Sequence, residues 1–206
     1  MRITDHITLI DRTMANCYDV ETENGHVLVD AGLRSSGLRI ANYYRQIGAK
    51  PSVILITHYH TDHIGGLRFL KNEFGSDVYI SPLEAGVATG KDKITPGKTM
   101  RSKIITRMFK APPVDSVKST ADLDYPGIEV LDTPGHTPGS TSYYFRNEGV
   151  LFIGDALVNR SGKLIINRGL AYDIDEAEKS EQKILSHGAK IILSGHGSPF
   201  FRNRSQ

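Results

Sequence analysis

Short apolar stretches bounded by turn residues recur along the chain, and they predict a fold with many strands. Each is four or five residues long and rich in β-branched or aromatic residues. The predicted strands are 7–11, 27–30, 53–57, 78–81, 128–132, 141–145, 150–153 and 191–194. Helical periodicity predicts helices over 37–47, 64–74 and 174–187, the last beginning near Asp173. Strands and helices mix without strict alternation, which favours a layered sheet–helix fold.

Two parts of this pattern resemble each other. VLVDAG (27–32) and LFIGDA (151–156) each carry an apolar strand that ends in an aspartate. Further along each part, VILITHYH (53–60) and KIILSGHG (190–197) carry an apolar strand that ends in histidine. Two interpretations stay open. Either βαβ units simply look alike, or two related halves face one another and donate groups from their strand ends.

The segment 91–118 differs from the rest in charge, with eight basic residues against two acidic ones. Apolar residues between Met100 and Phe109 follow helical spacing until Pro112 and Pro113. The interpretations are a surface helix that packs on the body, a lid over a site, and a contact with a membrane surface. We expect a basic lid or insertion within a single domain that spans residues 1–206.

Composition excludes several classes of protein. A length of 206 residues suits one domain with a substantial core, and a net charge of +2 is too small to indicate nucleic-acid binding. No apolar stretch is long enough to cross a bilayer, and the N-terminus lacks a signal core. Cys17 is the only cysteine, so we expect a cytoplasmic protein in which Cys17 is a small buried hydrophobe. Base rates favour a homodimer.

The stretch THYHTDHIGG (57–66) crowds metal-ligand side chains into six residues directly after an apolar strand. His58 and His60 point to the same side of an extended backbone, whereas Asp62 and His63 lie on the turn into the next helix. One tetrahedral ion cannot use all four groups and still accept ligands from elsewhere in the chain. The segment can therefore serve two ions.

Further ligand types lie at strand ends and glycine-flanked turns, where a backbone and a metal can approach closely. They are His136 in DTPGHTPGS, Asp155 in IGDA and His196 in SGHG. Imidazole and carboxylate groups suit zinc or iron. Ser140 is interpreted as a turn residue rather than a nucleophile. The remaining histidines, His6, His26 and His187, are expected to be surface or capping residues.

In order and spacing, these motifs resemble the metallo-β-lactamase superfamily over nearly the whole chain. The resemblance rests on VLVDAG, THYHTDHIGG, TPGHTPGS, GDA and SGHG. It implies a four-layer αββα sandwich of the α/β class, with two zinc ions on one edge and iron or manganese as alternative metals. By resemblance, the ligands of one ion would be His58, His60 and His136, and those of the other Asp62, His63 and His196. Asp155 would bridge both ions, and Asp30 would orient ligands through hydrogen bonds.

Such a site implies hydrolysis, because two cations lower the pKa of a bridging water far below that of bulk water, towards about 7. The hydroxide would attack a carbonyl group whose oxygen an ion polarises. Asp62 would orient the nucleophile or pass a proton to the leaving group. We expect the substrate to be a small ester, thioester or lactone.

The segment GDALVNRSGKL resembles glyoxalase II-type thioesterases, in which a Gly-Lys pair precedes a tyrosine that helps to bind glutathione. Gly162 and Lys163 match the pair, but Ile165 replaces the tyrosine. The chain ends ten residues after His196, so we expect the C-terminal helical glutathione-binding domain to be absent. Both departures argue against glutathione thioesters. Lys163 either meets an anionic substrate tail or is a solvated surface lysine.

Two rival functions remain open. A related subgroup of oxygenases uses one iron to oxidise persulfides and keeps much of the same motif. A non-enzymatic module with a structural metal is the other, although structural zinc sites are usually closed by four protein ligands. Metal content separates hydrolase from oxygenase.

Overall fold

A computed structural model describes residues 1–94 and 111–202. These residues fall into two compact units, one with 1–94 and 111–123 and the other with 124–202. The helical face expected near Met100 and most of the expected lid lie outside the described residues, and the single domain over 1–206 stays a prediction. No helix in the described ranges is long and apolar enough to cross a membrane.

The first unit is built on a six-stranded sheet whose strands lie side by side in chain order. They are β1 (Ile7–Ile10), β2 (Cys17–Thr22), β3 (Gly25–Val29), β4 (Pro51–Leu55), β5 (Asp77–Ile80) and β6 (Lys118–Ser119). β1 to β3 pair antiparallel, and β3 to β6 pair parallel. Parallel neighbours need crossover connections, which here contain α1 (Gly37–Gln46), α2 (Thr61–Ile64), α3 (Leu67–Phe74) and α4 (Ala85–Ala88).

A buried carboxylate explains why the sequence pattern missed β2. Asp19 is only 3% exposed and lies in the buried part of the strand, between Tyr18 and Val20. Its oxygens accept hydrogen bonds from the hydroxyls of Tyr43 and Tyr44, at 2.8 Å each, and lie 3.0 and 3.1 Å from His26 Nδ1. Burial and the neighbouring Asp19 charge raise the pKa of Tyr43 to about 12, so this phenol remains a donor. The expectation that His26 is a surface or capping residue is therefore wrong.

The helix expected over 64–74 is interrupted. It consists of α2 and α3, which are separated by Gly65 and Gly66. A Cβ atom at Gly66 would lie 2.4 Å from the Ala31 carbonyl oxygen, and one at Gly65 would lie 2.6 Å from the Arg34 nitrogen. The two glycines thus let the backbone after β3 pack directly against the backbone after α2, at the cost of helix continuity.

The second unit contains a five-stranded sheet with the order β13-β12-β9-β8-β7 and a two-stranded hairpin of β10 and β11. Its elements are β7 (Ile128–Asp132), β8 (Thr141–Phe145), β9 (Val150–Gly154), β10 (Val158–Arg160), β11 (Lys163–Ile165), α5 (Ile174–Ser186), β12 (Ile191–Ser194) and β13 (Phe200–Phe201). β9 and β12 pair parallel, as β3 and β4 do in the first unit. The repeated pattern in the sequence therefore corresponds to a repeated parallel strand pair.

The N-terminus of α5 provides a test of helix capping. One carboxylate oxygen of Asp173 accepts hydrogen bonds from the backbone N–H groups of Asp175 and Glu176, at 3.0 and 3.2 Å. Asp173→Ala should lower the free energy of unfolding by about 1 kcal/mol, because both donors lose this cap. Urea unfolding measures the change.

Asp175→Ala is the matched control, because it removes a carboxylate from the same helical turn and leaves the cap in place. Its loss should be about 0.3 kcal/mol, from the helix dipole alone. Equal losses in the two variants would show that charge, rather than the capping hydrogen bonds, stabilises this end of the helix.

Candidate metal centre

In the first unit, the segment that carries His58, His60, Asp62 and His63 begins shortly after β4 and ends in α2. His60 is the N-cap residue of α2, and His63 lies inside this one-turn helix rather than on a turn before it. The Ala31 N–H donates to the His63 carbonyl oxygen at 2.7 Å, which ties the stretch to the backbone after β3. The short helix therefore holds its side chains against the end of the neighbouring strand.

The imidazole nitrogens of this stretch converge. His58 Nε2 lies 3.0 Å from His60 Nδ1, and the rings of His58 and His63 have centroids 4.0 Å apart. Asp62 Oδ2 lies 4.0 Å from His63 Nε2. Ligand atoms of His58 and His60, and likewise those of Asp62 and His63, are within 4.8 Å of each other. Such spacing of nitrogen and oxygen donors fits metal ions.

Asp30 fixes the orientation of one of these rings, that of His63. Its carboxylate accepts a hydrogen bond from the Thr57 backbone N–H at 2.9 Å and from the Thr57 hydroxyl at 2.8 Å, and lies 2.7 Å from His63 Nδ1. An ionised carboxylate only accepts hydrogen bonds, so Nδ1 of His63 carries the proton and Nε2 carries the lone pair that a metal needs. These are the contacts expected of a residue that orients ligands.

Thr57 orients the ring of His58, a role that the sequence analysis did not predict. The Thr57 hydroxyl donates to Asp30, so its oxygen accepts from His58 Nδ1, 3.1 Å away. His58 is thereby placed in the tautomer whose lone pair lies on Nε2, the atom closest to His60. The only signal in the sequence is the position of Thr57 directly before the first histidine of the motif.

The buried thiol of Cys17 is unreactive. Cys17 is fully buried, as expected. Burial, followed by the charges of Asp30 and Asp62, raises the pKa of the thiol well above its usual value. A thiol that stays protonated is a poor nucleophile, which agrees with its interpretation as a small hydrophobe.

In the second unit, local hydrogen bonds hold the turn that carries His136. The Gly135 N–H donates to the Thr137 carbonyl, and the Thr137 N–H donates to the Ser140 hydroxyl, at 3.0 Å each. Gly135 adopts a φ of 124°, and a Cβ atom there would lie 2.3 Å from the Ala177 nitrogen of α5. Only glycine lets the turn approach the helix this closely. Ser140 is a structural residue of this turn, as predicted.

Asp155 and His196 follow two neighbouring parallel strands, β9 and β12, so they emerge at the same edge of the sheet. The Gly195 N–H donates to the Gly154 carbonyl at 2.7 Å and joins the two strand ends. Asp155 Oδ2 lies 3.5 Å from His136 Nε2 and 3.5 Å from His196 Nε2. One carboxylate oxygen is thus equidistant from two imidazole nitrogens.

The structure therefore brings the predicted ligands together in two clusters, one in each unit. The first contains His58, His60, Asp62 and His63 with Asp30 behind them, and the second contains His136, Asp155 and His196. Lys163 begins β11 in the hairpin, and its side chain is exposed. The donor set of both clusters consists of imidazole and carboxylate groups, which suits zinc and iron equally.

Comparison with known proteins agrees with these findings. The metallo-beta-lactamase superfamily profile matches residues 10–196. The Bacillus subtilis protein YqgX, named a "Probable metallo-hydrolase", is 32% identical over 89% of this chain and 85% of its own length. YflN of the same organism carries the same description and is 30% identical over 90% of this chain and 81% of its own length. Among solved structures, TTHA1623 in a di-iron-bound form has a TM-score of 0.73 at 26% identity, over 94% of this chain and 93% of that one.

The profile spans both clusters, and the similar structure shares the mixed α/β fold with several sheets. The predicted fold class is therefore confirmed, as is the prediction of a metal-dependent hydrolase type. The chain belongs to the metallo-β-lactamase superfamily.

Proposed function

We propose that this chain is a hydrolase that uses two metal ions to cleave small esters, thioesters or lactones. The observation that carries the proposal is the pair of ligand clusters, each with imidazole nitrogens within about 4 Å of a carboxylate oxygen. Membership of the superfamily and the metallo-hydrolase names of two relatives support it. We further propose a cytoplasmic homodimer that acts on a small molecule.

The proposed ligand sets follow the superfamily resemblance. The residues that would hold one ion are His58, His60 and His136, and those that would hold the other are Asp62, His63 and His196, with Asp155 shared. The equal distances from Asp155 Oδ2 to two imidazoles support the shared role. The lone pairs that Asp30 and Thr57 direct to Nε2 of His63 and His58 support the other assignments.

Bound ions would activate water and polarise the substrate carbonyl. The chain's own residues then have to orient the reacting groups and move one proton to the leaving group. Asp62 suits proton transfer, because its side chain is 27% exposed whereas that of His63 is fully buried. Asp62 would accept the proton of the attacking water and deliver it to the leaving oxygen or sulfur.

The specificity elements argue for substrates other than glutathione thioesters. Ile165 is 37% exposed on β11, where glyoxalase II-type enzymes carry a tyrosine. Lys163 is exposed at the start of the same strand, where it would attract an anionic tail of the substrate by charge alone. A panel of thioesters, lactones, aryl esters, phosphodiesters and β-lactams tests the substrate class.

Metal content tests the proposal first. We expect elemental analysis of the purified protein to give two ions per chain. Zinc is the expected metal, and the di-iron form of TTHA1623 makes iron the alternative. Chelation should abolish hydrolysis of the best panel substrate, and re-addition of the native metal should restore it. One iron per chain with oxygen consumption would instead identify a persulfide-oxidising enzyme.

Asp155→Ala tests the shared ligand. We expect the variant to lose hydrolysis and to hold fewer than two ions per chain, because the proposed shared carboxylate is gone. Asp132→Ala is the control, since Asp132 ends β7 with an exposed side chain and should leave both readouts unchanged. Hydrolysis at the wild-type rate by Asp155→Ala would contradict the binuclear proposal.

Thr57→Val tests the control of the tautomers. The substitution keeps the shape of the side chain but removes the acceptor of His58 Nδ1 and one donor to Asp30. Metal affinity, measured by competition with a chromogenic chelator, should fall by about tenfold to a hundredfold. Thr57→Ser retains the hydroxyl and should bind metal nearly as the wild type does. Equal affinity of wild type and Thr57→Val would show that the ring orientations are set by other contacts.

A further inference from the structure

The first unit contains a surface cavity of about 460 Å³, open to solvent, that takes no part in the proposed reaction. Its lining includes Arg39, Asn42 and Tyr43 from α1 and Arg12 from the turn after β1. None of the candidate metal ligands lines it. Its volume lies within the range of small-molecule sites.

The charge of the cavity is not balanced. Within the ranges that the structure describes, the guanidinium groups of Arg12 and Arg39 form no hydrogen bond or ion pair. The one acidic lining residue, Asp11, is bound to the N-terminal ammonium group at 3.0 Å. By contrast, Arg45 on the same helix is paired with Glu73 and does not line the cavity. Two cations are therefore available to one ligand.

The wall formed by α1 is rigid. The Tyr43 hydroxyl donates to the buried Asp19 at 2.8 Å, and its ring packs edge-on against Tyr44 at a centroid distance of 5.2 Å. The side-chain oxygen of Asn42 accepts a hydrogen bond from Arg45 at 2.9 Å, which leaves the amide N–H groups of Asn42 as donors. A wall fixed in this way loses little conformational entropy when a ligand binds.

The turn after β1 holds Arg12 in an unusual conformation. Its backbone φ is 60°, which is uncommon for a residue other than glycine, asparagine or aspartate. Next to the charged groups, the side chain of Leu38 is 56% exposed and offers an apolar surface. The lining of the cavity thus combines two exposed arginines with an exposed apolar side chain.

We propose that this cavity binds a small molecule that carries a phosphate group. A phosphate dianion matches two guanidinium groups in charge and accepts paired hydrogen bonds from each. The amide of Asn42 would donate to a further oxygen, while Tyr43 and Leu38 would contact the organic part of the ligand. The site is independent of the proposed hydrolytic activity.

Calorimetric titration with phenyl phosphate tests this assignment, with benzoate as the carboxylate counterpart. We expect saturable binding of one phenyl phosphate per chain, tighter than benzoate, in the metal-loaded and the chelator-treated protein alike. Arg12→Gln and Arg39→Gln should each weaken binding by at least about tenfold, because each removes a charged bidentate donor. Arg68→Gln, which changes the net charge equally at an exposed position of α3 outside the cavity, should retain the wild-type affinity.

Several outcomes would overturn the proposal. They are absence of saturable binding, equal weakening by all three substitutions, tighter binding of benzoate, and binding that chelation abolishes while Arg12→Gln leaves it intact. The last would place the phosphate at the metal centre. Thermal unfolding confirms that each variant folds, and Arg12→Lys and Arg39→Lys replace any glutamine variant that does not.

Discussion

The carboxylate of Asp30 is the point on which the ligand cluster of the first unit depends. It is 2% exposed, and a buried charge of this kind is costly unless donors surround it. Here the donors come from Thr57 after β4 and from His63 in α2. Asp30 itself adopts a φ of 63°, a strained conformation of the type that collects at functional sites. The ends of two strands and one helix are thereby tied to a single group.

The two units share a strand topology but use the residues at its end differently. In each, two parallel neighbouring strands end at one edge, with an aspartate after the first and a histidine after the second. In the first unit, the aspartate lies behind the histidines and sets their tautomers. In the second, Asp155 lies between His136 and His196 and presents one oxygen to both. The same position along the strand therefore supplies an orienting group in one unit and a proposed ligand in the other.

Sequence reasoning succeeded where a side chain follows a regular element. Apolar strands, helical periodicity and glycine-flanked turns predicted β4, β7, β8, β9, β12 and α5, and hence the neighbourhood of every candidate ligand. It failed where tertiary contacts override the local pattern. A buried Asp19 hid β2, because the donors of Tyr43, Tyr44 and His26 that make it tolerable are distant in sequence. The contact of Gly66 with the Ala31 backbone split a helix whose periodicity appears continuous.

The same reasoning explains why the orienting role of Thr57 was missed while the histidines were found. A ligand is recognised by its residue type, but a residue that fixes a tautomer is recognised only by the hydrogen bonds it makes. The members of the cluster differ in how deeply they are buried. His58 and His63 are almost completely buried, which suits groups that must keep one orientation, whereas Asp62 is 27% exposed and can exchange protons with solvent. Rigid, buried imidazoles and one accessible carboxylate fit the proposed hydrolysis, in which bound ions would have to stay in place while a proton moves.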